Sequence, residues 1–216
     1  MGIVLSGIEI ENFKSYIERQ YIRFSDLTVL LGANSSGKST ALQALLVMKQ
    51  TIECNSPDEE LLLSGKYVAL GDFDDVISDK QKKYFSLAVV LHQTERTEKA
   101  MDEDSFKISW KFERAQDGIS SVLTQVIVVY ETLNLTFLKS EDGLYHMYIN
   151  DERSPFSAQI NNLIISRFLI HYDVELNNKA AELLNDISKI LISKKITTVA
   201  TDIPVSVEGI QEFYFK

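Results

Sequence analysis

The stretch Gly32–Ser39, with the sequence Gly-Ala-Asn-Ser-Ser-Gly-Lys-Ser, decides the fold of this chain. It satisfies the pattern G-x-x-x-x-G-K-[ST], and a chance match in a chain this long is on the order of one in a hundred. The apolar run Thr28–Leu31 precedes it and a helical pattern follows it, which is the strand–loop–helix context that a phosphate-binding loop requires. The stretch therefore predicts a nucleotide site, with a glycine turn that only begins a helix as the alternative.

The residue types of this loop have chemical reasons to be there. Glycines let the backbone turn so that successive N–H groups face phosphate oxygens, and the following helix adds positive potential. Lys38 can reach the β and γ phosphates and is the predicted catalytic residue. Ser39 is the predicted Mg²⁺ ligand, and Thr40 is placed to contact the α-phosphate region. The predicted nucleotide-binding residues here are Gly32, Asn34, Ser35, Ser36, Gly37, Lys38, Ser39 and Thr40.

The residues on either side of the loop predict strands and one helix. Alternating apolar residues predict a strand over 3–12, with a shift at Ser6-Gly7, and further strand-like runs lie at 21–24 and 27–31. Residues 41–52 carry apolar side chains at helical spacing without Gly or Pro, which predicts a helix. The polar sequence Asn-Ser-Pro-Asp at 55–58 predicts the end of that helix.

Between about 67 and 149 the sequence becomes rich in short runs that favour β-strands. Five short apolar and β-branched runs lie at Phe85–Leu91, Phe106–Phe112, Val122–Tyr130, Leu133–Leu138 and Leu144–Ile149. The Asp-Gly pairs at 117–118 and 142–143 separate such runs, which predicts consecutive antiparallel hairpins. The polar stretch 93–105 predicts a loop. Beyond Pro155, helical spacing returns over 160–168 and 176–191, and 199–216 again predict extended structure.

Two parts of the sequence carry a family resemblance. Residues 10–16 (Ile-Glu-Asn-Phe-Lys-Ser-Tyr) and 24–40, which include the loop, resemble the N-terminal half of an ABC-class AAA-type ATPase head of the RecF/SMC/OLD-nuclease type. The block 65–77 (Gly-Lys-Tyr-Val-Ala-Leu-Gly-Asp-Phe-Asp-Asp-Val-Ile) resembles the bacterial phage-defence-associated ATPases of that class. The match is dense over 1–78 and weak afterwards. The resemblance implies an α/β fold, a P-loop NTPase core with an antiparallel ABC-type β-subdomain and additional helices.

The resemblance also implies a division of the chain and a set of ligands. Residues 1–150 would form the ATP-binding lobe with its β-subdomain, and 151–216 a helical segment leading into a truncated sheet. ATP and Mg²⁺ would be the cofactors, and Lys14 would contact the phosphates, with a solvent-facing strand end as the alternative. Two heads would pair through the nucleotide face as a homodimer or higher oligomer, with an effector such as a nuclease subunit as a further partner and DNA contacted only indirectly.

A complete catalytic set is not recognisable in the sequence. The run Val126–Glu131 imitates an acidic catalytic strand but has Tyr130 where the Mg²⁺-supporting aspartate belongs, and Phe168–Asp173 lies inside a helical pattern. The sequence Leu63–Lys66 imitates an ABC signature but follows the loop too closely. We therefore expect an ATPase head of bacterial defence or DNA maintenance that hydrolyses ATP only when completed by a C-terminal half and dimerised. The alternatives are a non-hydrolysing regulatory or scaffolding subunit and, less favoured because Arg is sparse, a small-molecule kinase.

Composition and charge limit the other classes of function. The 216 residues include 22 Lys and Arg against 31 Asp and Glu, a net charge of −9, which does not favour a nucleic-acid surface. The apolar runs are far shorter than the ~18 residues that cross a bilayer. The single cysteine, Cys54, cannot form an internal disulfide and suits a reducing cytoplasm. We expect a cytoplasmic protein.

Overall fold

An antiparallel sheet of eight strands forms the body of the part described by the computed structural model, which comprises residues 3–54, 60–93, 105–130, 133–153, 164–166 and 169–171. The strands are β1 (Ile3–Glu11), β2 (Gln20–Arg23), β3 (Tyr84–Gln93), β4 (Ser105–Arg114), β5 (Ser121–Tyr130), β6 (Leu133–Lys139), β7 (Tyr145–Ile149) and β8 (Glu152–Arg153). Their order across the sheet is β2-β1-β3-β4-β5-β6-β7-β8. From β3 onward each strand pairs with the next one in sequence, so the predicted hairpins are confirmed.

Two Asp-Gly turns close the hairpins as predicted. Gly118 and Gly143 have φ angles of 75° and 82°, in the left-handed region that glycine adopts without strain. The Asp117 carboxylate accepts hydrogen bonds from the N–H groups of Ile119 and Ser120, both at 2.8 Å. The side chain of each turn thus satisfies backbone donors that no strand reaches.

Two helices complete the described core. Helix α1 (Lys38–Glu53) buries one face against the sheet, and α2 (Phe73–Val76) is a single turn. The residues that α1 places in the core are Ala41, Ala44, Val47 and Met48, in one cluster with Ile8 and Ile10 of β1. Four phenylalanines link the helices to the sheet: Phe13, Phe73, Phe85 and Phe112 are fully buried, with neighbouring ring centroids 5.3–5.7 Å apart. This core fixes the N-terminal end of α1, which follows the glycine-rich loop, relative to β1.

The strand predicted over 27–31 is wrong. Leu27 and Leu31 are 82% and 88% exposed, and the segment joins no ladder with any strand in the described ranges. An apolar run can form a strand only where another strand supplies its hydrogen bonds. The β1 prediction, including the register shift at Ser6-Gly7, is confirmed, because the pairing with β3 shifts between Leu5 and Gly7.

The helical pattern predicted around 160–168 is also wrong where the structure describes it. Residues Ile164–Ser166 (β9) and Leu169–His171 (β10) form an antiparallel pair of strands. The interpretation that His171 lies inside a helix is therefore wrong as well. A short apolar run rich in isoleucine fits a strand as well as a helix, and periodicity alone does not separate the two.

Other predictions fall partly or wholly outside the described ranges. These are the end of the first helix at 55–58, the loop interior at 94–104, the helical pattern at 176–191 and the extended pattern at 199–216. None of the helices in the described ranges is long and apolar enough to cross a membrane.

Candidate functional site

The loop Gly32–Gly37 lies directly before α1 and has the geometry of a tight backbone turn. Ser35 and Gly37 have positive φ angles of 64° and 95°, and the Ser36 N–H donates to the Ala33 carbonyl at 3.3 Å. Residues 32–36 are exposed, whereas Gly37 and Thr40 are buried. The first N–H groups of a helix have no intrahelical acceptor, so the start of α1 offers backbone donors beside an exposed loop.

The Lys38 ammonium lies on its own loop. Its Nζ donates to the carbonyls of Gly32 and Ala33 at 2.7 and 2.5 Å, and to the Ser36 hydroxyl at 3.3 Å. These contacts are solvent-exposed, so phosphate oxygens could replace them at small cost. The predicted residues Gly32, Ser36, Gly37 and Lys38 are thus brought together in one loop.

Three other predicted side chains are those of Ser39, Thr40 and Lys14. Ser39 is exposed on the first turn of α1, and within the described ranges its hydroxyl makes no hydrogen bond. The Thr40 hydroxyl lies 3.3 Å from that of Ser15, which brings the residue next to Lys14 to the start of α1. Residue Lys14 is half-buried, and its ammonium has neither a hydrogen bond nor an ion pair with other described residues.

The main chain around Lys14 is held by the block that follows α1. Lys14 has a φ of 51°, its N–H donates to the Val76 carbonyl at 2.6 Å, and its carbonyl accepts from the Ser78 hydroxyl. Asn12 is fully buried: its amide donates to the carbonyls of Asp79 and Tyr84 at 3.0 and 2.6 Å. Such a satisfied buried amide fixes both segments, because breaking it would leave polar groups without partners.

The segment Gly71–Val76 explains why that block has its sequence. Gly71 has a φ of 85°, and a Cβ there would lie 2.1 Å from a carboxylate oxygen of Asp75. Phe73 packs against Phe85 in the core, which places Val76 where its carbonyl meets Lys14. The two stretches that the sequence singled out separately, 10–16 and 65–77, are therefore one structural unit.

A buried carboxylate lies at the end of β1, beside this unit. Glu11 accepts hydrogen bonds from Arg19 at 2.9 Å and from the Tyr84 hydroxyl at 3.0 Å, with Lys82 at 3.8 Å. Burial raises the pKa of the Glu11 carboxyl, but the hydrogen bonds and the two cations outweigh it and hold the pKa below its ordinary value. These contacts tie the end of β1 to Arg19 and to Tyr84, so the carboxylate has a structural role.

Sequence reasoning missed the contact that joins residues 13–16 to the loop. The Tyr16 hydroxyl donates to the Gly37 carbonyl at 3.2 Å, and its ring lies against Gly37. The available signal was position, because Ser15 and Tyr16 directly follow Lys14 in the stretch that carries the resemblance. It also missed Asn12, whose signal is an amide residue between a strand and a core phenylalanine.

The sequence of this chain is similar to that of known proteins. Residues 4–213 match the family described as AAA ATPase domain. The chain is also similar to the DNA replication and repair protein RecF of Oenococcus oeni, with 24% identity over 181 residues that cover 84% of this chain and 44% of that protein. The chain thus spans less than half the length of this curated relative.

Solved structures show more distant similarity. One is the recombination mediator protein RecF with ATP, at 13% identity and a TM-score of 0.33, covering 73% of this chain and 30% of that one. Another is the Smc head domain of Pyrococcus furiosus bound to the C-terminal domain of ScpA, at 19% identity and a TM-score of 0.32, covering 78% and 34%. The match over residues 4–213 shows that the chain belongs to the AAA ATPase domain family, and ATP is therefore its implied ligand.

Proposed function

We propose that this chain supplies the ATP-binding face of a RecF/SMC-like ATPase head and holds the nucleotide phosphates at Gly32–Ser39. One observation carries the proposal: an exposed glycine turn ends at Gly37, with a φ of 95°, directly before the first turn of α1. Backbone donors at a helix start together with a lysine on the same loop are the groups that recognise a polyphosphate. The similarity to RecF supports the type of head.

Each side chain has a role in this proposal. Lys38 exchanges the carbonyls of Gly32 and Ala33 for the β and γ phosphates and stabilises the charge that develops on the transferred phosphoryl group. Lys14, which has no ion pair with other described residues, adds a second positive charge. Asn34, Ser35 and Ser36 line the loop, and Thr40 lies toward the α-phosphate.

Ser39 is the residue that would hold Mg²⁺. Its hydroxyl is exposed next to Lys38 and bonds to no other group in the described ranges, which fits an oxygen ligand that completes its shell with phosphate and water. When bound, Mg²⁺ neutralises charge on the β and γ phosphates.

The wider function follows from the type of head. We propose that two heads pair through the nucleotide face and that hydrolysis needs groups supplied by further sequence and by the opposing head. The similarity to RecF supports this arrangement. Hydrolysis would drive a conformational switch in DNA maintenance or bacterial defence that acts through an effector such as a nuclease. In this proposal the protein is cytoplasmic. The net charge of −9 favours indirect contact with DNA.

The test of ATP binding is a calorimetric titration of the wild type and Lys38→Ala. We expect the variant to bind ATP about tenfold or more weakly, because a hydrogen bond to a charged group contributes roughly 1.5–3 kcal/mol. Lys49→Ala is the matched control: Lys49 lies on the same helix and pairs with Glu53 on its exposed surface. Equal affinities for the wild type and Lys38→Ala, or an equal loss in both variants, would contradict the assignment of the loop.

A second candidate function is a scaffold that binds ATP without hydrolysing it. For the completed assembly, the scaffold predicts ATP binding without phosphate release, whereas the ATPase head predicts both. Strand β5 contains most of the run that imitates an acidic catalytic strand, but it pairs antiparallel with β4 and β6 and has Tyr130 where the aspartate belongs. For the 216-residue chain alone we expect phosphate release well below the typical enzyme range of about 1 s⁻¹. Release near that rate, abolished by Lys38→Ala, would show that the chain holds a complete catalytic site.

A further inference from the structure

The Tyr16 side chain touches the loop at its most constrained residue. Its hydroxyl donates to the Gly37 carbonyl at 3.2 Å, and a Cβ added at Gly37 would lie 3.1 Å from the Tyr16 ring. The Gly37 carbonyl also accepts from the Ala41 N–H at 3.0 Å, the first hydrogen bond of α1. Tyr16 therefore contacts the peptide group at which the glycine turn becomes a helix.

The tyrosine is itself fixed to the core. Phe13 and Tyr16 exchange two backbone hydrogen bonds, each 3.0 Å long, and Phe13 is fully buried and also bridges to Ile77. Burial raises the pKa of the Tyr16 hydroxyl, so it remains a donor through the neutral pH range. A hydroxyl donor whose backbone is hydrogen-bonded to a buried core residue is thus directed at one carbonyl of the glycine turn.

The contact bears on phosphate binding through the peptide that it holds. Gly37 has a φ of 95°, and a glycine backbone can adopt several other conformations of similar energy. The C=O and N–H of a trans peptide point in opposite directions within one plane. Holding the Gly37 carbonyl toward Tyr16 therefore makes the Lys38 N–H point away from Tyr16. An anion binds at the start of α1 through N–H groups that point toward it, so their direction affects its binding.

We infer that Tyr16 is a positioning residue for the phosphates of the nucleotide, which holds the Gly37–Lys38 peptide in the orientation that binds them. The inference rests on the proposed function in taking ATP as the ligand. The adjacent contact between the hydroxyls of Ser15 and Thr40, at 3.3 Å, strengthens it, because two consecutive residues of the 13–16 segment meet the loop and the helix start. The segment thus acts as a brace that spares the loop the entropic cost of ordering when the nucleotide binds.

The test compares Tyr16→Phe, which keeps the ring and removes only the hydroxyl, with the wild type. Tyr21→Phe is the matched control, because the Tyr21 hydroxyl also donates to a backbone carbonyl, that of Ser6 on β1, at 3.4 Å. Three quantities are measured: the ATP dissociation constant by calorimetry, the thermal midpoint, and hydrogen exchange of the N–H groups of 37–41 without nucleotide. We expect Tyr16→Phe to weaken ATP binding about threefold to tenfold, the range for one neutral hydrogen bond, and to speed exchange at 37–41.

The remaining outcomes separate the two proposals. A thermal midpoint that matches that of Tyr21→Phe, together with weaker ATP binding, supports positioning, because a purely structural tyrosine would lower the midpoint and leave the affinity of the folded protein unchanged. Unchanged ATP affinity in Tyr16→Phe overturns the inference, whatever the midpoint, while the proposed function stands. If the wild type fails to bind ATP, the proposed function fails; faster exchange at 37–41 in Tyr16→Phe would then support the brace alone.

Discussion

Gly37 shows at the scale of one residue why the loop has its sequence. Its φ of 95° disfavours any side chain, and a Cβ added there would lie 3.1 Å from the Tyr16 ring, closer than an ordinary contact. Lys38 follows at once, so the turn that glycine permits decides where the lysine and the first N–H groups of α1 lie. Replacing Gly37 changes both together, whereas replacing Lys38 or Ser39 removes a single chemical group.

Ser39 gives a prediction that concerns the metal alone. We expect Ser39→Ala to lose most of the gain in ATP affinity that Mg²⁺ gives the wild type, because the exposed hydroxyl is the proposed metal ligand, while binding without metal changes little. Titrations with and without Mg²⁺ measure this, with Ser109→Ala in β4 as the control serine. An identical response of Ser39→Ala and the wild type to Mg²⁺ would show that Ser39 only begins the helix.

At the scale of elements, the end of β1 is held by charge as well as by the sheet. Glu11 joins β1 to Arg19, which precedes β2, and to Tyr84 and Ser86 in β3. The next residues along the chain, 12–16, carry the Asn12 amide and the Tyr16 brace. The carboxylate thus fixes the end of β1, which leads directly into the residues that contact the candidate site.

This anchor predicts a dependence of stability on pH. The pKa of folded Glu11 lies below its ordinary value of about 4.3, so its contribution is present above that pH and is lost as the pH falls through the folded pKa. We expect Glu11→Gln to lower the free energy of unfolding by roughly 2 kcal/mol at pH 7, and the gap to the wild type to narrow below about pH 4. Urea unfolding at several pH values measures it. Glu113→Gln, which breaks the more exposed pair with Lys111, should show little effect, and a gap for Glu11→Gln that is constant with pH would contradict the account.

The sequence predicted those elements whose signals are local. The Asp-Gly pairs at 117–118 and 142–143 define turns by their own backbone chemistry, and the apolar spacing of 41–52 defines α1. The strand at 27–31 was predicted wrongly because pairing depends on a neighbour that a local pattern does not contain. Helix α2, a single turn, is too short for periodicity to register.

The candidate site likewise has a part that the sequence predicts and a part that it does not. The loop could be predicted because consecutive residues carry both its turn and its chemistry. The contacts of Asn12 with Asp79 and Tyr84, and of Tyr16 with Gly37, join residues 21–72 positions apart, and no spacing rule encodes such pairs.

At the scale of the whole molecule, one core links the sheet, α1 and the 71–77 segment, and α1 begins directly after the loop. Lys14 and the loop are therefore held by a common framework of buried phenylalanines and one buried amide. The chain spans less than half of its RecF relative. In the proposed function, the described residues supply the loop and helix start that hold the nucleotide phosphates.

The most direct test of that central claim is hydrogen exchange of the 216-residue chain with and without ATP and Mg²⁺. We expect ATP to slow exchange of the N–H groups over 32–40 and, through the Tyr16 brace, over 14–16, because bound phosphates occupy the donors of the loop and the start of α1. Exchange over 133–149, in β6 and β7, should stay the same. Slower exchange confined to other segments, or no change at 32–40 under ATP concentrations that saturate binding, would contradict the assignment of the site.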